Sequence, residues 1–175
     1  MRNRTRIGGC PAACALLLLA LGGCPASRFT GGTVHGDGYA FTIPEPPGAW
    51  RQIAHNQAAL AFRDEPNRGL VLFNAHCHVD SEDVPLQALT NHLFLTFTER
   101  EITVQEVVPF DGREAMHTAL GAKLDGVPQR YDVWVLKKDE CVYDLIYAAP
   151  EPGFERGVPV FREVVRGFAT VPSGG

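Results

Sequence analysis

The feature that most constrains the fold is a run of alternating apolar and polar residues that two Asp-Gly pairs interrupt. The pairs are Asp111-Gly112 and Asp125-Gly126. Asp-Gly between alternating segments predicts a two-residue hairpin turn, because both central positions of that turn need a positive φ. Four successive strand-like segments therefore predict an antiparallel meander. They span residues 101–110, 113–124, 127–138 and 141–148.

Further strands and two helices flank this meander along the chain. One strand is predicted at 39–43, and two more lie within 58–79, joined by a turn at 65–69. Leucines recur on one helical face within 81–100, and apolar residues recur at helical spacing within 153–168. The order βββ-α-ββββ-α predicts an α+β domain, in which two amphipathic helices cover an antiparallel sheet of about six or seven strands.

A short apolar segment after a basic N-terminal tip bears on the location of the protein. Residues 7–23 contain two adjacent glycines and a proline, and the segment is shorter than the roughly 20 apolar residues of a bilayer-spanning helix. This layout is typical of an export signal. Its end, Leu21-Gly22-Gly23-Cys24, resembles the lipobox of bacterial lipoproteins. The resemblance implies cleavage between Gly23 and Cys24 and attachment of acyl chains such as palmitate to Cys24. The alternative is an ordinary signal of a soluble exported protein.

The signal peptide at 1–23 divides the chain into predicted parts. Residues 24–38 are expected to form a flexible tether, residues 39–169 one globular domain, and residues 170–175 a disordered tail. Loss of the signal removes three arginines and no acid, so the formal net charge changes from −4 to −7. Such an acidic chain is not expected to bind nucleic acid or an anionic lipid surface. Attachment to the membrane would depend on the acyl chains.

Several stretches of the domain resemble the PsbP-like family. They are "YAFTIPEPPGAW", "FDGREA", "CVYDLIYAAP" and the closing "FREVVRGF". This family includes extrinsic photosystem II subunits and small bacterial envelope lipoproteins. The resemblance covers about residues 38–169 and implies an α/β/α sandwich. Its members act mainly as accessory, binding or assembly proteins, and they offer no shared catalytic residues to transfer.

These observations favour a lipid-anchored envelope protein with a non-catalytic binding or accessory domain that faces the periplasm. The chain has no common nucleophile, zinc-protease or phosphate-loop motif, so no enzymatic activity and no cofactor are expected. The expected partners are the membrane, through Cys24, and an envelope protein. Ala26, two positions after Cys24, implies sorting to an outer membrane in the lipoprotein family. An alternative function is a small-ligand carrier or enzyme with its site between sheet and helix.

A second alternative is a metal-binding module at "NAHCHVD". On a strand, His76 and His78 would project from one face and could bind Zn²⁺ or Cu²⁺. A third ligand would come from Asp80, His92 or His117 after folding. The simpler interpretation is the polar end of a strand that emerges from beneath a helix.

Cys77 and Cys141 form the even pair of cysteines in the predicted exported domain. An even pair in an oxidising compartment predicts a disulfide. Both cysteines lie on predicted strands of one sheet, where suitable positions would bring their Cα atoms close enough. The alternative is two separate buried thiols.

Overall fold

The computed structural model describes residue 29, residues 31–77 and residues 84–172. These residues form ten strands and two helices. In chain order they are β1 (Gly32–Gly36), β2 (Tyr39–Ile43), β3 (Trp50–Ile53), β4 (Leu60–Asp64), β5 (Gly69–Cys77), α1 (Leu86–Leu93), β6 (Thr98–Phe110), β7 (Arg113–Leu124), β8 (Val127–Lys138), β9 (Cys141–Ala149), α2 (Glu151–Arg166) and β10 (Ala169–Thr170). Among the described residues, neither helix has the length and apolar character needed to cross a membrane.

Seven strands form one antiparallel sheet with the order β3-β4-β5-β9-β8-β7-β6. The predicted meander is confirmed, because β6, β7, β8 and β9 are sequential neighbours in this sheet. The chain leaves β5 in the sheet interior and returns at the far edge as β6, so the connection that contains α1 crosses the sheet. β1, β2 and β10 form a separate three-stranded sheet.

The two Asp-Gly pairs occupy the turns that the sequence predicts. Asp111 and Gly112 have φ values of 46° and 74°, and Asp125 and Gly126 have values of 51° and 78°. Both central residues of each turn are thus in the left-handed region, as a turn that matches the strand twist requires.

Each face of the large sheet has its own hydrophobic core, because successive side chains of a strand point to opposite faces. On β9, Tyr143 and Leu145 pack into the core that contains the apolar side of α2. Val142 packs into the second core, against the side chains of α1. The small sheet joins α2 on the first face through Phe41. The result is the predicted α/β/α sandwich.

Two glycines bring α2 close to the sheet and to the β4–β5 turn. A Cβ atom at Gly157 would overlap the Tyr147 hydroxyl, and one at Gly153 would overlap the carbonyl oxygen of Asn67. The Tyr147 hydroxyl donates a hydrogen bond of 2.8 Å to Asp64 Oδ2, and Asn67 Nδ2 donates another of 2.8 Å to the same oxygen. Because neither glycine has a side chain, the helix can lie close to the sheet and still leave room for a buried polar network beneath it.

The structure differs from the sequence-based predictions at both ends of the domain. Gly32–Gly36 lies within the predicted tether at 24–38 but forms β1, which pairs with β2. Val34 packs against the core from this strand. Ala169–Thr170 forms β10 at the start of the predicted tail. Backbone pairing with β2 orders these segments, although neither has a sustained apolar period.

The first helix is shorter than predicted. It spans Leu86–Leu93, whereas helical periodicity extends through 81–100. Thr98 begins β6 and pairs with Lys123 of β7, so strand pairing replaces the helix there. Phe97 packs in the same core as the helical leucines, which explains why its position fits the helical period.

Candidate functional site

The α1 face of the large sheet is only partly covered. α1 contacts β7 and β8, whereas the neighbouring strands β9 and β5 continue beyond it. Four apolar side chains on these two strands are half-buried on this face. They are Leu70, Leu72, Ile146 and Ala148. An apolar strip that remains half-exposed beside a helix is a candidate binding surface.

A groove of about 300 Å³ lies between this strip and the end of α1. The strip forms the floor of the groove. Leu93, Phe94 and Phe97, at and after the end of α1, form the wall. The Phe97 ring packs on Tyr131 of β8 with ring centroids 4.8 Å apart. The helix therefore ends early enough to leave a hydrophobic groove where a longer helix would cover the sheet.

The rim of the groove is basic. Arg63 of β4 and Arg68 of the β4–β5 turn line it and are exposed. Neither side chain forms an ion pair or hydrogen bond with any residue that the structure describes. Nearby Arg51 instead binds Glu65, with 2.7 Å between Nη2 and Oε1. No acidic residue is present among the described residues that line the groove.

Tyr131 contributes a polar group inside the groove. The residue is 4% exposed, and burial raises the pKa of its hydroxyl above the ordinary value. No hydrogen bond to this hydroxyl is formed within the described part of the chain. A hydroxyl that lines a groove and has no partner among the described residues is available to a bound ligand.

A polar cluster lies farther along the same face, on β5 and β9. Asp144 is 4% exposed, and burial raises the pKa of its carboxyl to about 6, although His76 opposes the shift. The His76 Nε2 atom lies 3.9 Å from Asp144 Oδ2 and 2.7 Å from Asn74 Nδ2. The main electrostatic feature of this cluster is therefore the buried Asp144 carboxyl, which has His76 beside it.

The structure describes only some of the residues that the sequence proposed as metal ligands. His78 and Asp80 lie outside the described residues. Within the described residues, no three potential ligands come close enough together to hold a metal ion. His117 points to the α2 face, opposite to His76, so this proposed third ligand is excluded. The pair His76 and His78 stays a prediction.

His117 belongs to a buried network that connects α2 to the sheet. Its Nε2 lies 3.1 Å from Asp132 Oδ2, and Arg162 Nε of α2 donates to the same oxygen at 3.0 Å. Trp134 Nε1 donates to Asp132 Oδ1 at 2.9 Å. Burial favours a raised pKa for Asp132, but the hydrogen bonds from His117 and Arg162 outweigh it and hold the pKa below the ordinary value. The network therefore joins α2 to β7 and β8 through Asp132.

The structure contains the disulfide that the sequence predicts. Cys77 at the end of β5 and Cys141 at the start of β9 are opposite each other, with Cα atoms 4.0 Å apart. The bond closes a chain separation of 64 residues. The predicted cleavage and lipidation site, Gly23 and Cys24, lies outside the described residues.

Sequence reasoning did not identify the groove or its arginines. The stretch Leu70-Val71-Leu72-Phe73 is apolar on both strand faces, which indicates cover on both sides. The structure covers only the Val71 and Phe73 side completely. The sequence signal for the groove was therefore a strand that is apolar on both faces, with a single short helix to cover one of those faces.

Comparison with solved structures supports the fold and no more. The cyanobacterial PsbP protein (CyanoP) of Synechocystis sp. PCC 6803 is 13% identical, with a TM-score of 0.54 over 86% of this chain and 99% of that chain. LpqN of Mycobacterium tuberculosis, described as involved in cell envelope biogenesis, is 15% identical, with a TM-score of 0.59 over 81% and 91%. These similarities agree with the PsbP-like architecture expected from the sequence.

A protein from Bacteroides thetaiotaomicron is 13% identical, with a TM-score of 0.54 over 77% of this chain. The chain spans only 46% of the length of that protein. No family model and no curated protein matches the sequence.

Proposed function

We propose that this protein is a lipid-anchored binding module of the bacterial cell envelope, and that the groove beside α1 is its binding site. The observation that supports this proposal is the half-exposed apolar floor. Within the described residues, the Tyr131 hydroxyl inside the groove and the two arginines at its rim have no side-chain partner. Ligand sites typically combine a mainly apolar concave surface with a few polar groups that fix orientation. This arrangement favours the small-ligand alternative over the other functions considered.

The composition of the groove favours binding over catalysis. Its described lining contains no Ser, Cys, His, Asp or Glu side chain, which are the usual nucleophiles and general bases. The paired residues around Asp132 lie on the opposite face of the sheet. We therefore propose a non-catalytic role, as the sequence predicts.

Three observations support an anchored envelope location. The sequence Leu21–Cys24 resembles a lipobox and would supply a lipidation site, and only a short segment separates Cys24 from β1. The Cys77–Cys141 disulfide suits an oxidising compartment such as the periplasm. LpqN, which shares the fold, is described as involved in cell envelope biogenesis. Outer-membrane sorting and an envelope-protein partner stay predictions.

Mass spectrometry of the mature N-terminus tests the anchor. We expect a chain that begins at Cys24 and carries diacylglyceryl, and we expect Cys24→Ala to prevent the modification and release from membranes. Because the mature chain would carry a formal net charge of −7, electrostatic attraction to an anionic lipid surface is not expected to retain it. An unmodified Cys24 in membrane-extracted protein would contradict the anchored part of the proposal.

Binding of the neutral apolar dye N-phenyl-1-naphthylamine tests the groove. We expect saturable fluorescence enhancement with the chain from residue 24 onward, which contains every described element. Ala148→Phe should fill the floor and reduce binding at least tenfold, whereas Ala54→Phe at an exposed position should not. Equal binding by both variants would reject the groove as the site.

A further inference from the structure

The two arginines at the rim differ from six other cations of the domain, which are paired with carboxylates. Six Lys and Arg side chains form ion pairs with carboxylates: Arg51, Lys123, Arg130, Lys138, Arg162 and Arg166. Arg63 and Arg68 form none within the described residues. Two unpaired cations at one edge of an acidic protein create a local site for an anion.

The position of Arg63 relates this charge to the apolar floor. Arg63 lies directly opposite Leu70 in the β4–β5 pairing, and Asp64 lies opposite Gly69 at the turn that carries Arg68. Both arginines therefore stand at the β4 side of the floor, at the end toward this turn. An alkyl chain on Leu70 and Ile146 would place its polar end beside them.

We propose that the groove binds a single-chain amphiphile with an anionic headgroup, either a carboxylate or a phosphate. This proposal rests on the binding function proposed above. The alkyl chain lies on the floor against Phe94 and Phe97, and Arg63 and Arg68 donate hydrogen bonds to the headgroup. Guanidinium groups match both anions because they can donate two parallel hydrogen bonds.

The size of the groove restricts the ligand to one chain. A volume of about 300 Å³ is at the small end of the range of ligand pockets. Each methylene that the groove removes from water adds affinity, so the alkyl chain supplies most of the affinity while the arginines select the headgroup. A neutral or cationic amphiphile would leave the arginines without a matching charge.

Calorimetric titration with four dodecyl compounds, each below its critical micelle concentration, tests this assignment. The probes are dodecanoate, dodecyl phosphate, dodecyl maltoside and dodecyltrimethylammonium, added to the chain from residue 24 onward. We expect at least one of the two anions to bind at least tenfold more tightly than the neutral and cationic compounds. Tighter binding of the phosphate indicates a phospholipid-type headgroup, and tighter binding of the carboxylate indicates a fatty acid.

A double variant separates headgroup recognition from binding of the chain. Arg63→Gln with Arg68→Gln should weaken binding of the preferred anion at least tenfold and change dodecyl maltoside binding less than twofold. The control, Arg113→Gln with Arg166→Gln, makes the same change in net charge away from the groove and should change neither.

Equal affinity for all four headgroups, unaffected by the double variant, would overturn the anion assignment and leave the groove as an apolar binding site. Absence of binding by every compound, together with absence of dye binding, would overturn both proposals. Anion binding that Ala148→Phe does not reduce would place the ligand elsewhere and also overturn the assignment.

Discussion

Buried carboxyl groups in this protein differ in pKa according to their hydrogen-bond partners. Asp132 and Asp144 are both buried carboxyls, on adjacent strands of one sheet. Asp132 receives hydrogen bonds from three side chains, and its pKa is lowered. Asp144 has the exposed His76 ring 3.9 Å away and no hydrogen bond from a described side chain, and burial raises its pKa. Hydrogen bonding therefore determines which form of each acid the fold favours.

Asp144 should make the protein less stable as the pH rises. Its folded-state pKa of about 6 exceeds the ordinary value of 3.8, so the folded state retains a proton that the unfolded state releases. Its stabilising contribution is complete below about pH 4 and is lost as the pH rises through 6. Relative to wild type, Asp144→Asn should gain about 2 kcal/mol between pH 4.5 and pH 7.5 in urea unfolding. A relative stability that does not change with pH, as expected for Glu155→Gln on the exposed side of α2, would contradict this prediction.

Gly157 is expected to tolerate no side chain, although it lies within a helix. Alanine favours helices by about 1 kcal/mol over glycine, but its Cβ atom at this position would overlap the Tyr147 hydroxyl and approach Asp64 Oδ2. Gly157→Ala should therefore destabilise the protein by about 2–4 kcal/mol in chemical denaturation. Glu155→Ala on the exposed side of α2 is the control. A Gly157→Ala protein as stable as wild type would show that α2 does not need this close approach.

The sequence correctly predicted those elements that are determined by residues close together in the chain. The meander follows from alternation and from Asp-Gly turns, both of which are encoded within a few residues. β1 and β10 depend on pairing with β2, and the end of α1 depends on pairing between β6 and β7. Such long-range pairing overrides local periodicity and cannot be read from a single segment.

The candidate site was harder to predict than the fold for a related reason. Arg63 and Arg68 have no motif that distinguishes them from other surface arginines. Their significance comes from the place where α1 ends, which determines how much of the floor stays exposed. The paired cysteines, in contrast, could be proposed from their number and compartment, because strand geometry accepts a bond between directly opposite positions.

The β8–β9 hairpin has a turn that is not optimised. Asp139 and Glu140 have φ values of 53° and 59°, which a glutamate rarely adopts. Replacing them with Asn-Gly should stabilise the protein by about 1 kcal/mol, because glycine occupies the left-handed region without steric cost. Thermal unfolding would measure this gain. Asp125→Asn, in a turn that already contains Gly126, should change stability little, and a loss of stability in the Asn-Gly variant would refute the argument.

For the whole molecule, the disulfide joins parts of the sheet that are distant in the chain. β5 precedes α1, whereas β9 ends the meander, and Cys77–Cys141 connects them across 64 residues. The bond therefore restricts the unfolded chain as well as fastening two central strands.

Replacing both cysteines with alanine should lower the free energy of unfolding by about 2–4 kcal/mol. Reducing agent should lower the stability of the wild type toward that of the variant and leave the variant unchanged. Peptide mapping without reduction should recover Cys77 and Cys141 in one linked pair. Two thiols that alkylate freely in unreduced, unfolded protein would contradict the assignment.

The strand order also determines a sequence of events during folding. The hairpins of β6 to β9 join neighbouring segments, whereas Leu70 must find Ala148 across more than half of the domain. Closing short loops costs less conformational entropy and is faster. We therefore expect the meander to form a nucleus on which β5 docks late, so that oxidation of the two thiols follows the rate-limiting step.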